Sequence, residues 1–516
     1  MPAPGTRSKR GKRYTPPVVP MRDLRDERWY AESLASGVRH AATGDRLRLD
    51  GLEQSAMPDG LAGLGYQCDR PELTAFGGIP LLAQFAYGVG LADLVGGVPM
   101  AKRESVHSPG KLCEAVVMAL AAGLSRISHV DDYTYDPGLC EALGVQRLPD
   151  QATFSRFFSS AKTIAVQHLR EANRRFSGAA TRLRDRKQRL VVDCDTRVVG
   201  VYGKQEGTVR SGLKGKQPHF TFEITSLRNS YDILDGGLLR GATHPVPLFR
   251  QRFQTVLGQL QTRTKELVVC ADAAWHAGSV LQDIEAADAA PEVPCACKYV
   301  IRAQLDGRQK AAIHALPEEA WKPCAEGIEI AEYELAFAES RAGEDPRIRR
   351  HVVTRKPKVE KAKKSDQPAL IPVPSFEYGA LVTNLRHKPK VIWTLYNHRS
   401  TVESILRESA LGFHMDSLPS ASFRGNELFC QLLVLAYNLV NLFRRLCLPQ
   451  EHSHRHVQGL RRLLLAIPAM VERTEHGLVL HCATHGPHVR LLPTIIQRLQ
   501  RWLCTHGEPL LTPQPT

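Results

Sequence analysis

Residues Leu190-Val191-Val192-Asp193-Cys194-Asp195-Thr196-Arg197-Val198-Val199-Gly200 limit the possible folds more than any other stretch of the chain. The β-branched and apolar run reads as a buried strand. Strand side chains alternate between faces, so Asp193 and Asp195 point the same way. Carboxylates on a buried strand are costly unless they pair with cations or hold metal. The competing reading is one acid that caps a turn and one that is solvated. Acids elsewhere in the chain are able to complete a metal site.

Ahead of this strand the chain reads as helical. Apolar spacing predicts helices over 79–98 and 111–125, then a short helix over 136–143 closed by Gly144. In Leu148-Pro149-Asp150-Gln151-Ala152-Thr153-Phe154-Ser155-Arg156-Phe157-Phe158, Asp150 is a natural N-cap. The turn after it presents Gln151, Thr153, Ser155 and Arg156, as the recognition helix of a helix-turn-helix does. A plain capped helix in a bundle is the alternative. Another helix follows over 161–176, and Arg182 to Arg189 form a basic linker into the strand. At the start, Arg7, Lys9, Arg10, Lys12 and Arg13 make an acid-free arm suited to phosphates or to solubility alone.

Beyond Gly207, strands are expected over 219–225 and 233–239, and a helix over 247–262. Glu266 to Ala271 is a buried apolar strand ending on Asp272, with a helix over 278–287 and a strand over 297–301 behind it. This succession predicts a mixed α/β sheet whose strand ends carry the chemistry, although Asp272 also suits a helix cap. Residues 303–395 break the rhythm with alternating stretches over 328–337, 348–354 and 376–383. Between the last two, Arg355 to Lys364 holds six basic residues against one acid, a charged loop for solvent or for phosphate. Then come Tyr396, Arg399, Glu403 and Arg407. At about 100° per residue they share one helix face. A carboxylate between arginines and a phenol matches a phosphate-handling site, and an i, i+4 surface ladder is the ordinary alternative.

The balance of 68 basic against 53 acidic residues, a net charge of +15, favours a polyanionic partner, most plausibly nucleic acid. Twelve scattered cysteines and no secretory leader predict reduced thiols and a cytoplasmic location. Leu428 to Phe443 is apolar except for Gln431, Asn438 and Asn441, too short and polar for a span of roughly 20 residues. It reads as a core helix, and no membrane association is expected. The His/Cys-rich segment from His452 to His488 lacks a CxxC pair and reads as strand and helix material rather than a zinc site.

Asp195-Thr196, Asp272 and the series Tyr396-x2-Arg399-x3-Glu403 resemble the acidic triad of bacterial insertion-sequence DDE transposases. The likeness is to the branch with a Tyr-Arg-Glu signature and a long β insertion before the glutamate. Gly203-Lys204-Gln205-Glu206-Gly207, Leu239-Arg240-Gly241-Ala242, Ala436-Tyr437-Asn438-Leu439 and the stretch from His129 to Phe157 also resemble patterns around that core. Together they cover roughly residues 75–500. The resemblance implies an RNase H-like α/β fold: a mixed-sheet catalytic core with a β-rich insertion, preceded by an all-helical domain and followed by C-terminal helices. The layout expected is 1–75 basic arm and N-terminal segment, 76–187 helical DNA-binding domain, and 188–302 first part of the core. The β-rich insertion spans 303–395, the helices with the Glu 396–448, and the C-terminal region 449–516.

The activity implied is cut-and-paste DNA transposition: binding of element ends, hydrolysis of the phosphodiester and joining of 3′ ends to target DNA. Asp195, Asp272 and Glu403 would be the catalytic metal ligands, with Asp193 the alternative first acid. Two Mg²⁺ ions are implied, with Mn²⁺ as a substitute. Tyr396, Arg399 and Arg407 would contact DNA beside them, and Gln151, Thr153 and Arg156 from the helical domain. Double-stranded DNA and a homodimer on paired ends are the implied partners, in the bacterial cytoplasm at the nucleoid. One departure is Ala410, where the branch usually carries Lys; Arg407 shares the helix face of Glu403. A metal-dependent nuclease of the same fold and an inactive DNA-binding derivative are the competing classes.

Overall fold

The computed structural model describes residues 69–505 except 101–105, 212–216, 242, 337–346, 359–375 and 484, and also a pairing of Leu47–Arg48 with Gly65–Tyr66. Residues 1–13, the expected basic arm, lie outside the described residues. By contacts, Met1–Glu72 form one unit and Leu73–Thr516 another. The main sheet and its flanking helices belong to the second unit.

This unit begins with helices α1 (Ile79–Gly88), α2 (Leu91–Gly96), α3 (Pro109–Ala122), α4 (Pro137–Ala142), α5 (Gln151–Ser159) and α6 (Thr163–Arg182). Three of them start on a side chain that accepts from the amide three residues on: Ser108 from Lys111, Asp136 from Leu139 and Asp150 from Thr153. Such caps satisfy donors that a helix start leaves open. Because α6 runs on to Arg182 and the next strand opens at Lys187, the basic linker shrinks to four residues.

Five strands then build a sheet: β1 (Lys187–Gly200), β2 (Pro218–Leu227), β3 (Asp232–Leu239), β4 (Thr264–Ala271) and β5 (Ala296–Arg302). α7 (Val246–Leu260) precedes β4, and α8 (Gly278–Ala289) joins β4 to β5. β1, β2 and β3 are antiparallel in succession, whereas β4 lies parallel to β1 and β5 parallel to β4. The spatial order β3-β2-β1-β4-β5 is the RNase H-like arrangement. Period-2 alternation sorts the side chains. Leu190, Val192, Cys194, Val269 and Ala271 pack beneath α7 and α8, and Val191, Val268, Cys270 and Val300 face the other way.

The insertion contributes α9 (Gly307–His314) and β6 (Lys322–Ala325), β7 (Ile328–Ala336), β8 (Ile348–Pro357) and β9 (Phe376–Thr383). These strands extend the core sheet: β9 pairs antiparallel with β5, and β8, β7 and β6 follow outward. Arg349 on β8 clasps Glu285 on α8 through two bonds of 2.7 and 2.9 Å, and the Tyr299 hydroxyl of β5 donates to the same carboxylate at 2.7 Å. The expectation of a charged loop over Arg355 to Lys364 is corrected at its start, and residues 359–364 lie outside the described residues. β8 runs to Pro357, and Arg355 is buried over the rings of Trp321 and Phe376, paired with Glu318 and Glu329. Two carboxylates and two aromatic faces outcompete solvent for that guanidinium.

After the insertion come α10 (Pro389–Asn397), α11 (Ser400–Leu411) and α12 (Phe423–Cys447). α12 is the one helix among the described residues long and apolar enough to cross a membrane, and its apolar window is wholly buried. Its three amides bond the β3 side of the sheet. Asn438 Nδ2 donates to Ile233 O (2.8 Å) and its Oδ1 accepts from Ile233 N (2.9 Å), so it pairs with β3 as a strand would. Gln431 donates to Gly236 O, and Asn441 to Ser230 O and Asp232. The C-terminal region is not purely helical. β10 (Ala469–Thr474) and β11 (Gly477–Cys482) form a hairpin, turned at Gly477 (φ 119°), that pairs with Leu73–Thr74 ahead of α13 (His488–Thr505). The short apolar run Leu478-Val479-Leu480, bounded by Gly477, suits a strand there.

Asn438→Leu keeps the volume and apolarity of α12 but strands two buried backbone groups. At about 1–3 kcal/mol each, urea unfolding should register a loss on the order of 2–6 kcal/mol. Glu223, 1% exposed, has its carboxyl pushed up to about 7 by burial, against the pull of Arg252 and with a push from Asp235. A raised folded-state pKa stabilises at low pH and is lost as pH climbs through it. Between about pH 4.5 and 7, wild type should therefore lose on the order of 1–3 kcal/mol relative to Glu223→Gln, read as the difference in urea unfolding free energy.

Candidate active site

Asp193 and Asp195 do share a face, and their surroundings divide their roles. Asp193 is fully buried and bound through both oxygens by Arg228, Nε at 2.8 Å and Nη2 at 2.5 Å. Arg228 follows β2 directly, and its Nη1 donates to Leu395 O of α10 at 2.6 Å. This pair bolts α10 onto the sheet. Sequence reasoning missed Arg228, although a second buried carboxylate two residues from the first already called for a cation.

Asp195 stands nearer the open end of β1. Its Oδ1 accepts from the Thr196 amide and from Arg399 Nη2, both at 2.8 Å. Arg399 Nη2 also donates to Cys194 O at 3.2 Å, and Nη1 lies 3.8 Å from Glu403 Oε1. One guanidinium thus links an acid of the central strand to an acid of α11. Burial pushes the Asp195 carboxyl above its ordinary range; Arg399 pulls it down and neighbouring Asp272 pushes it up again. Glu403, whose side chain is 58% exposed, faces solvent.

Register brings in Asp272. Cys194 lies opposite Ala271, so Asp195 and Asp272 are each the next residue on adjacent parallel strands. Asp272 also caps the turn that follows, its Oδ1 accepting from Ala274 N at 2.9 Å. The capping and charge-cluster readings are therefore compatible.

Tyr396, Arg399 and Glu403 do not sit on one continuous helix. α10 ends at Asn397, and Arg399 is the N-cap residue of α11. The 3₁₀-like bond from Arg399 N to Tyr396 O (2.8 Å) keeps the path nearly helical, so the expected face largely survives the break. Burial raises the Tyr396 phenol, while Arg399 and Arg302 draw it back. Arg407 is exposed one turn beyond Glu403, whereas Ala410 is 5% exposed and turned into the core. A lysine at 410 would have to bury its charge.

Gln151, Thr153 and Arg156 stand apart from the acids. Gln151 and Arg156 are exposed on α5, which packs on the start of α12 with the Phe158 and Phe429 rings 5.7 Å apart. The motif pieces around 203–207 and 239–241 converge on that same helix start. Glu206 pairs with Arg240 (2.8 Å) and accepts from Phe423 N (3.2 Å), and Arg240 lies over the Phe423 ring. Gly207 (φ 83°) holds a left-handed conformation that favours glycine, and a Cβ there would come 3.0 Å from Arg240 Nη1.

The donor set suits a hard divalent cation in kind, being carboxylate oxygen throughout. Among the described residues no three His, Cys, Asp or Glu already stand together as a metal-holding group. The positive charge between Asp195 and Glu403 is that of Arg399.

The Transposase DDE domain group 1 family matches residues 66–504, and the chain belongs to that family of transposases. Among solved structures it is similar to a piggyBac transposase in a synaptic complex with hairpin DNA. The identity is 10% and the TM-score 0.40, covering 84% of this chain and 86% of that one. A search of curated proteins finds no match.

The two aspartates of β1 should respond oppositely to substitution. Asp193→Ala leaves Arg228 buried and unpaired and should cost about 3–5 kcal/mol in urea unfolding. Asp195→Asn should stay within about 1 kcal/mol of wild type, the scale of an ordinary hydrogen-bond change, yet abolish DNA cleavage.

Proposed function

We propose that this transposase cuts DNA at the ends of its mobile element and joins the freed 3′ ends to target DNA, with Asp195, Asp272 and Glu403 as the metal-holding acids. The observation that carries the reading is that Arg399 pairs with Asp195 and lies 3.8 Å from Glu403, while the charge of Asp272 acts on the same guanidinium. Carboxylates that neighbour one guanidinium repel one another, and the positive charge of Arg399 offsets that repulsion.

Those carboxylates would hold divalent ions of the Mg²⁺ type, and such a pair, when bound, supplies activation of the attacking oxygen and stabilisation of the leaving 3′-oxygen. The chain's own residues do the rest. Asp193, held by Arg228, keeps β1 and α10 in fixed relation, so that Asp195 and Tyr396 face the same space. Arg399 neutralises the acids before DNA arrives and, with Tyr396, offers donors to the phosphodiester. Arg407 extends the cationic face of α11 along the backbone. Gln151, Thr153 and Arg156 on capped α5 suit recognition of the element end, supported by the chain's excess of basic residues. Action on paired ends calls for a homodimer.

Glu403→Gln should reduce Mg²⁺-dependent cleavage of a duplex carrying the element's end by at least about 10³-fold, the scale set by loss of transition-state charge stabilisation. Binding of that duplex, followed by fluorescence anisotropy, should persist. Cleavage by the variant at the wild-type rate would remove Glu403 from the site. Cleavage by wild type without 3′-end joining would identify a nuclease instead.

A further inference from the structure

The parallel strands β1, β4 and β5 are in register: Cys194 lies opposite Ala271 and Ala271 opposite Ile301. All three pack on the face beneath α7 and α8 or its continuation. The residue following each therefore points to the opposite face, at the same edge of the sheet. Those residues are Asp195, Asp272 and Arg302. Neighbouring strands lie about 4.8 Å apart, so Arg302 stands one strand beyond Asp272 in a single row across the site. It is exposed.

Most arginines around this core are engaged by carboxylates: Arg228 by Asp193, Arg399 by Asp195, Arg349 by Glu285 and Arg350 by Glu332. Among the described residues no carboxylate lies within ion-pair distance of Arg302. Its charge is nevertheless felt by Tyr396 across the site and by Glu377 on β9. A solvent-facing guanidinium in line with two acids is poised for an anion that bridges the row.

We infer that Arg302 grips a backbone phosphate of the bound DNA on the β5 side of the acids, close to the phosphodiester to be cut. The inference rests on the proposed activity and adds a contact that none of the sequence motifs contains. A planar guanidinium binds two phosphate oxygens at once, so Arg302 fixes the angle at which the strand crosses Asp272. Arg399 and Arg302 then flank Asp272 from opposite sides, and the DNA backbone spans the distance between them.

The test uses the full chain, an end duplex built from the DNA flanking its gene and a second duplex of random sequence. Binding is measured without divalent metal across a salt series. Arg302→Ala should lower the slope of log K against log salt by about 0.9, one phosphate contact, on both duplexes, with an unchanged urea midpoint. Arg302→Lys should restore the slope. Cleavage of the end duplex should fall about tenfold to a hundredfold in Arg302→Ala, the range of a charge-assisted bidentate contact. A neutral methylphosphonate at the gripped phosphate should slow wild type by the same factor and Arg302→Ala no further. Glu377→Ala, which removes the nearest β9 carboxylate, should leave slope and rate unchanged. An unchanged salt slope in Arg302→Ala, or methylphosphonate losses that multiply with it at every position, overturns the inference. Wild type that binds the end duplex without cutting it overturns the proposed activity instead, and the salt slope still decides Arg302.

Discussion

The structure depends on the side-chain amides of α12 meeting the backbone of β3. A sheet edge presents unpaired donors and acceptors, and left bare it invites pairing with other chains. Here Asn438 supplies both halves of a strand-like pairing to Ile233, with Gln431 and Asn441 on either side. Because α12 is buried on every side, against α3, α5, α6 and α13 as well as β3, this contact joins the N-terminal helices to the acidic sheet. The amides that interrupt the apolar run of the helix are the groups that close the sheet.

Charge is placed by the same logic. Asp193 and Asp195 are chemically identical and two residues apart, yet one is sealed by Arg228 while the other opens to a site rim. A buried ion pair contributes little net stability but is severely damaging to break from one side. It therefore serves as a fixed peg. Around Asp195 the neutralising group is Arg399, at a break between helices and held by Asp195, by the Cys194 carbonyl and, at longer range, by Glu403.

Much of this was legible in the sequence. Continuous apolar runs located β1 and β4, strand alternation gave the shared face of the two aspartates, and caps such as Asp150 located the helix starts. The spacing of Tyr396, Arg399 and Glu403 gave the right neighbourhood even though the helix breaks at Asn397. What stayed hidden was long-range. Arg228 meets Asp193 across 35 positions, and no local pattern marks it. The burial of Arg355 depends on Trp321 and Phe376, which only strand pairing brings near. Ala410 reads in sequence as a missing lysine, while in the fold it is a core position. The insertion looked like a separate β segment because pattern reveals strands but not the edge to which they attach.

That attachment has a mechanical consequence. The insertion joins the core through three residue pairs, Leu381 with Arg302, Val382 with Ile301 and Thr383 with Val300, stiffened by the Arg349–Glu285–Tyr299 clasp. Hydrogen-bonded strands resist stretching far more than they resist twisting. The outer strands are continuous with the strand that ends in Arg302, and α10 packs on the insertion and the core alike. A shear of the outer strands would therefore pass along one hydrogen-bonded ladder to the backbone at Arg302.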